Sequence, residues 1–245
     1  MAEAKKEKKI TSASTGKTVS KEEISANKKM KKADAVPEST TGLRVGAIIF
    51  WVVALGFEVV ALMLYLGRIH INLGSTLTQL IIALVLDLAC VIAGSQFWKK
   101  ANHINPVSEK NKVKFWLWNN MGLIVCAFCF IPFIIIALTD KNADKKTKTV
   151  ATVVAVIALL IGGLFSVDWN PVSEEQKEAA MEAIATDVFW SPYGHVYHTH
   201  DDCQSLNNSD SLTYGTVEEA IAAGRTRLCS FCAKKDNITT VVTDE

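Results

Sequence analysis

Residues 45–67 read VGAIIFWVVALGFEVVALMLYLG, an apolar run carrying a single charged side chain, Glu58. A helix of that length rises about 35 Å, enough to cross the roughly 30 Å hydrocarbon core of a bilayer. Three further runs have the same character, at about 77–98, 115–138 and 149–166. Every backbone group in hydrocarbon must be satisfied within its own segment, so all four are expected to be helices. Polar residues bound them: Arg44 and Arg68, Lys99 and Lys100, Lys114, then Asp140 and Lys141. Trp51, Trp98, Trp116, Trp118 and Trp169 lie mostly near run ends, as interfacial anchors do. The fold expected for residues 44–167 is an all-α four-helix transmembrane bundle in contact with the lipid bilayer.

Whole-chain composition hides this, because 26 basic side chains nearly balance 25 acidic ones. The charge is segregated along the chain. Residues 1–43 contain no aromatic residue and are rich in Lys, Ser, Thr, Ala and Glu. Such a segment lacks the apolar surface needed to offset chain entropy, and a disordered tail is expected. An apolar run that begins only near residue 45 does not fit a secretory signal peptide. Lys and Arg number eleven through Arg44, one in 68–76, five in 99–114 and four in 139–148. The excess at the N-terminus places it in the cytoplasm, and four crossings return the C-terminus to the same side of a cell membrane. The tail's Lys28-Lys29 and Lys31-Lys32 clusters suit anionic lipid.

Two identical pentapeptides, Asn105-Pro106-Val107-Ser108-Glu109 and Asn170-Pro171-Val172-Ser173-Glu174, each follow an even-numbered run. They are read either as a duplicated helical hairpin or as the same turn and helix start arising twice. Two carboxylates lie deep in the runs, Glu58 in the first and Asp87 in the second. Adjacent helices would let them share a proton as a polar pair. They are read first as glue between helices or between copies of the chain, a homo-oligomer, and alternatively as an ion or proton path. Asn119 and Asn120 are expected to hydrogen-bond between helices. Cys90, Cys126 and Cys129 are read as packing residues, since no His or carboxylate is spaced with the Cys126/Cys129 pair on its own helix.

Beyond the fourth run, Ser173 is expected to cap a linker helix within 168–187. A small C-terminal α+β zinc module, a β-hairpin plus a short helix, is expected over 188–235, with 236–245 as a tail. The hairpin is read from Val188-Phe189-Trp190 and His195-Val196-Tyr197-His198 around Pro192-Tyr193-Gly194. The helix Val217–Ala223 opens on a capping box, Thr216 to Glu219, and ends at Gly224. Cys229 and Cys232, with two residues between them, form a knuckle that presents two thiolates to one ion, and His198 with Cys203 complete a tetrahedral Zn2+ set. His200 competes with His198 for the nitrogen position. Pairing the three soluble cysteines as disulfides would strand one thiol, which also favours a metal and a reducing compartment. Four protein ligands leave no open position, so the site is structural and no catalytic residue is expected.

These motifs, from Val196-Tyr197-His198 and Cys203-Gln204-Ser205-Leu206 through Ala220-Ile221-Ala222-Ala223-Gly224 to Cys229-Ser230-Phe231-Cys232, resemble the Ada-like metal-binding module. The resemblance covers about 45 residues and implies zinc on His198, Cys203, Cys229 and Cys232. Two spacers are each one residue longer than the common form, and Ser230-Phe231 stands where a basic pair is usual. Residues 188–235 hold four Lys/Arg against five Asp/Glu, which argues against nucleic acid as a partner. The function expected is a non-enzymatic membrane protein presenting a cytoplasmic zinc module for protein interaction or sensing. Two alternatives are a small ion- or proton-coupled transporter using Glu58 and Asp87, and a zinc-thiolate sensor of oxidation or alkylation.

Overall fold

The computed structural model describes residues 8–20, 23–24, 39–70 and 74–238. The Lys28-Lys29 and Lys31-Lys32 clusters lie outside the described residues. The chain divides into two compact units. One comprises residues 40–101 and 112–169, and the other gathers 1–39, 102–111 and 170–245.

The first unit is helical. It contains α1 (Thr41–Tyr65), α2 (Thr76–Ile104, whose last turn belongs to the second unit), α3 (Lys112–Asn119), α4 (Met121–Thr139) and α5 (Lys145–Ser166). Helices α1, α2, α4 and α5 are each long and apolar enough to cross a membrane. On α1 the buried positions are Ala47, Trp51, Ala54, Glu58, Ala61, Leu64 and Tyr65, a stripe at three- and four-residue spacing. Ile49, Val52 and Val59 on the remaining surface are exposed yet apolar. A water-soluble helix reverses that arrangement, with polar residues outward. Small residues line the inner contacts, including Ala54, Ala61, Ala151, Ala155 and Ala158. A Cβ placed on Gly162 would lie 2.7 Å from Cys126 Sγ, so close packing of α5 on α4 requires glycine there.

At one end of this unit Trp51, Trp98 and Trp118 pack in series with their rings tilted, centroids 5.3 Å and 5.2 Å apart. The Arg44 guanidinium lies 5.9 Å and 5.4 Å from the Trp98 and Trp118 rings. Lys99 Nζ donates to the Phe165 carbonyl at 2.7 Å, and Gln96 Nε2 donates to the same oxygen at 2.9 Å. These bonds satisfy a carbonyl in the last turn of α5, where intrahelical donors run out.

Helix limits differ from the sequence expectation in one informative place. The run at 115–138 is not one helix: α3 ends at Asn119, and α4 begins at Met121. The Asn119 and Asn120 amides donate to carbonyls four residues back, those of Phe115 at 3.1 Å and Trp116 at 2.9 Å. Side chains that bond their own helix in this way compete with a regular backbone ladder. At the start of α5, Asp144 caps the helix by accepting from the Lys146 and Thr147 amides.

The second unit gathers three stretches of chain that are separate in sequence. Its mixed sheet contains β1 (Lys9–Ser12), β2 (Val188–Trp190) and β4 (Ser211–Gly215) in the order β1-β4-β2. Strand β1 is parallel to β4, and β2 is antiparallel to it. A second, two-residue parallel pair joins β3 (Val196–Tyr197) to β5 (Arg227–Leu228). Helices α6 (Glu174–Ala183), α7 (Val217–Ala222) and α8 (Ser230–Asp236) complete the unit. The capping boxes at Ser173/Gln176 and Thr216/Glu219 are both formed.

Residues 1–43, read as a tail, therefore need a local correction at 9–12. Ile10 is 3 % exposed and belongs to the core of the second unit, as does Ile24. The chain turns back after β1, with the Val19 amide donating to the Ile10 carbonyl at 2.8 Å. A polar segment cannot form its own core, but it can place one isoleucine in another core while backbone hydrogen bonds fix the register. The expected hairpin is also revised. Strand β2 pairs with β4 rather than along the 195–198 strand, which it meets only through the Phe189–His198 bridge.

The repeated pentapeptides lie against each other. Glu174 donates its amide to the Val107 carbonyl at 3.3 Å. The Glu175 carboxylate accepts from the Ser108 hydroxyl and from the Glu109 amide, the latter at 3.0 Å. Only the second copy starts a helix, because its Ser173 has Gln176 three residues on.

Candidate metal centre

The backbone brings four candidate ligands together from separate elements. His198 follows β3, Cys203 precedes a 3-10 turn at Gln204–Leu206, Cys229 follows β5, and Cys232 lies in the first turn of α8. The Cys229 amide donates to the Tyr197 carbonyl at 2.9 Å, which holds the knuckle against the strand that carries His198. One nitrogen and three sulfurs lie within 4.8 Å of one another, and all four side chains are buried. Cys203 Sγ is 3.9 Å from Cys229 Sγ, and Cys232 Sγ is 3.8 Å from His198 Nδ1. Two thiolates each about 2.3 Å from a tetrahedral zinc lie about 3.8 Å apart. These separations are the edges of a metal-sized tetrahedron and are far too long for disulfide bonds, and the three cysteines are free. The group can therefore hold a metal ion.

Electrostatics suit ligation. Burial, with a smaller contribution from Lys8, holds His198 well below its ordinary value, at about 4, so the imidazole is neutral at pH 7 with a lone pair for a metal. Burial pushes the Cys203 thiol up to about 11. For Cys229, burial opposes ionisation but is outweighed by hydrogen bonds from the Cys232 and Phe231 amides and from Ser205 and Cys203, which lower its value. Ser205 Oγ lies 3.7 Å from Cys229 Sγ and provides the outer contact that orients a ligating sulfur.

A pH dependence follows. Between about 6.5 and 4 the unfolded chain binds a proton at His198 that the folded chain excludes. The second unit is expected to keep this contribution to its stability above pH 6.5 and to lose it progressively as the pH falls to 4. Urea titrations of the metal-loaded full-length protein across this window measure it.

His200 is not in the cluster. Its Nε2 lies 2.7 Å from Asp236 Oδ1, and Thr199 Oγ1 bonds the other carboxylate oxygen, tying the ligand loop to the end of α8. His195 is exposed. Arg225 donates to the Ser191 carbonyl at 3.0 Å and also to Pro192, which fastens the 191–194 turn to the end of α7. Glu58 and Asp87 are both buried within the helical unit. Within the module itself, the elements missing from the sequence reading were β4, β5 and α8. Ser211-Leu212-Thr213-Tyr214 does carry a period-two signal, with Leu212 and Tyr214 buried, whereas the two residues of β5 carry none.

The chain matches no protein-family model, no curated protein and no solved structure.

Proposed function

We propose that this chain is an integral membrane protein that presents a structural zinc module, of the Ada-like kind, to the cytosol for protein interaction or sensing. The observation carrying the proposal is that one chain holds both a closed set of four buried candidate ligands and four long apolar helices. A metal with four protein ligands has no position for substrate water, so its role is to hold β3, β5 and α8 together. Zinc is favoured by the one-nitrogen, three-sulfur donor set and its tetrahedral spacing. Reducing conditions and the eleven Lys/Arg through Arg44 favour a cytosolic placement of the second unit in a cell membrane. Burial of all three thiols weighs against an oxidation or alkylation sensor, which needs accessible sulfur.

The surface that this frame offers is apolar in part. Phe231, held between the two knuckle cysteines, is 55 % exposed, and Tyr193 at the 191–194 turn is 94 % exposed. Aromatic side chains on a rigid frame suit a protein partner. Crosslinking from a photoreactive residue at position 193 in cells is the test. Specific adducts that disappear in both Phe231→Ala and Cys232→Ser are expected; adducts unchanged in both variants would refute an interaction role for the module.

A further inference from the structure

The helical unit contains a second group of ionisable side chains that the metal centre does not use. Glu58 of α1 and Asp87 of α2 both point inward, 9 % and 0 % exposed. Each sits in a buried helical stripe, Glu58 between Ala54 and Ala61, and Asp87 between Leu84 and Val91. Cys129 of α4 and Glu58 are within interaction range of Asp87. The structure thus supplies the carboxylate neighbour for Cys129 that its own helix lacks.

Glu58 Oε2 and both carboxylate oxygens of Asp87 are buried and have no hydrogen-bond donor among the described residues. Polar residues that act as glue between helices end with their atoms paired. Among the described residues, the two helices that carry the pair hold no basic side chain near it. Along the helix axes Arg44 lies about 21 Å from Glu58 and Lys99 about 18 Å from Asp87, at 1.5 Å per helical residue, and Arg68 lies beyond the end of α1. Arg44 faces the tryptophans and Lys99 the α5 carbonyls. The remaining titratable groups facing the pair are the thiols of Cys90, Cys126 and Cys129, while α5 presents Ala151, Ala155, Ala158 and Gly162. Positive charge must therefore come from outside the side-chain inventory. Among the described residues the His198 group is the one set of three or more His, Cys, Asp or Glu side chains gathered so that it could hold a metal ion. A proton needs only two facing oxygens, which a carboxyl pair supplies.

We propose that Glu58 and Asp87 form a reversible proton-binding site within the membrane domain, one proton bridging the two carboxyl groups. With the proton on Glu58 Oε2 directed to one oxygen of Asp87, and the Cys129 thiol directed to the other, all three orphaned oxygens are satisfied. The site rests on reading the four long helices as membrane spans and is independent of the metal centre.

Infrared spectroscopy of the full-length protein in lipid nanodiscs tests it. The wild type is expected to show a protonated carboxylic-acid C=O band at pH 7 that bleaches reversibly at alkaline pH. The band should fall to background in the Glu58→Gln, Asp87→Asn double variant and shift in frequency in Cys129→Ala. Absence of the band in the wild type, its persistence in the double variant, or failure to bleach at alkaline pH would each overturn the proposal. Loss of the band on adding Na+, K+ or Zn2+, with one ion bound per chain beyond the His198 site, would replace the proton with a metal ion and equally overturn it. Because the wild-type band decides the matter by itself, misfolding of a variant does not remove the test.

Discussion

Cys232→Ser is expected to release the metal and unfold the second unit while leaving the long helices intact. Cys232 Sγ contributes one corner of the ligand tetrahedron from α8, and that helix has seven residues, too few to be stable unsupported. Apparent binding free energies for structural zinc sites are about 10–16 kcal/mol at neutral pH, comparable with the whole stability of a small domain. Losing one of four ligands removes much of that energy and leaves the other two cysteines and His198 without the cation that links them. Limited proteolysis should cut the variant within residues 188–236 under conditions that leave the wild type whole, and EDTA should bring the wild type to the same pattern. Equal resistance of variant and wild type would show that the metal site does not hold this unit together.

Ile10→Asp is expected to have an effect of the second rank, on the order of 3–5 kcal/mol, large enough to undock β1. Ile10 sits at 3 % exposure in the core that also contains Leu212, Tyr214 and Trp190, and its carbonyl and neighbouring amides lie in the pairing to β4 and the 17–19 return. An ionised aspartate there has no cation to pair with in the core and must either unfold the strand or pull it into water. Thr11→Asp, at a half-buried position of the same strand, should cost less than about 1 kcal/mol. Hydrogen exchange is the measurement. Ile10→Asp should deprotect the amides along Ser211–Gly215 that face β1, with little change at the amides paired to β2. Unchanged protection at both edges would mean that β1 does not hold the sheet edge in solution. This result also bears on topology, since a strand before the first long helix and one after the fourth can share a sheet only if both ends of the chain lie on one side of the membrane.

Sequence and structure agree most closely where a signal is long or chemically singular. Twenty-odd consecutive apolar residues leave little alternative to a helix, and the Cys229/Cys232 spacing with His198 and Cys203 names a ligand set that the backbone does assemble. Choosing His198 over His200 needed more than spacing. Both histidines follow β3, and the structure separates them by sending His200 to Asp236. The break between α3 and α4 was hidden because hydropathy averages over two asparagines that bond their own helix. Strand β1 was hidden for a different reason: four residues with one apolar side chain acquire their structure from β4, more than 190 residues away, and no local pattern encodes a distant partner. Cys129 was read as packing for the same reason, because its carboxylate neighbours come from other helices.

The metal content of the full-length protein, purified in detergent without added metal and dialysed exhaustively, is the direct test of the central claim. One zinc per chain, absent from the His198→Ala and Cys232→Ser variants, is the predicted result. A wild-type protein that carries no metal and still protects residues 188–236 from proteolysis would contradict it, and would leave the carboxyl pair of the long helices as the chain's functional centre.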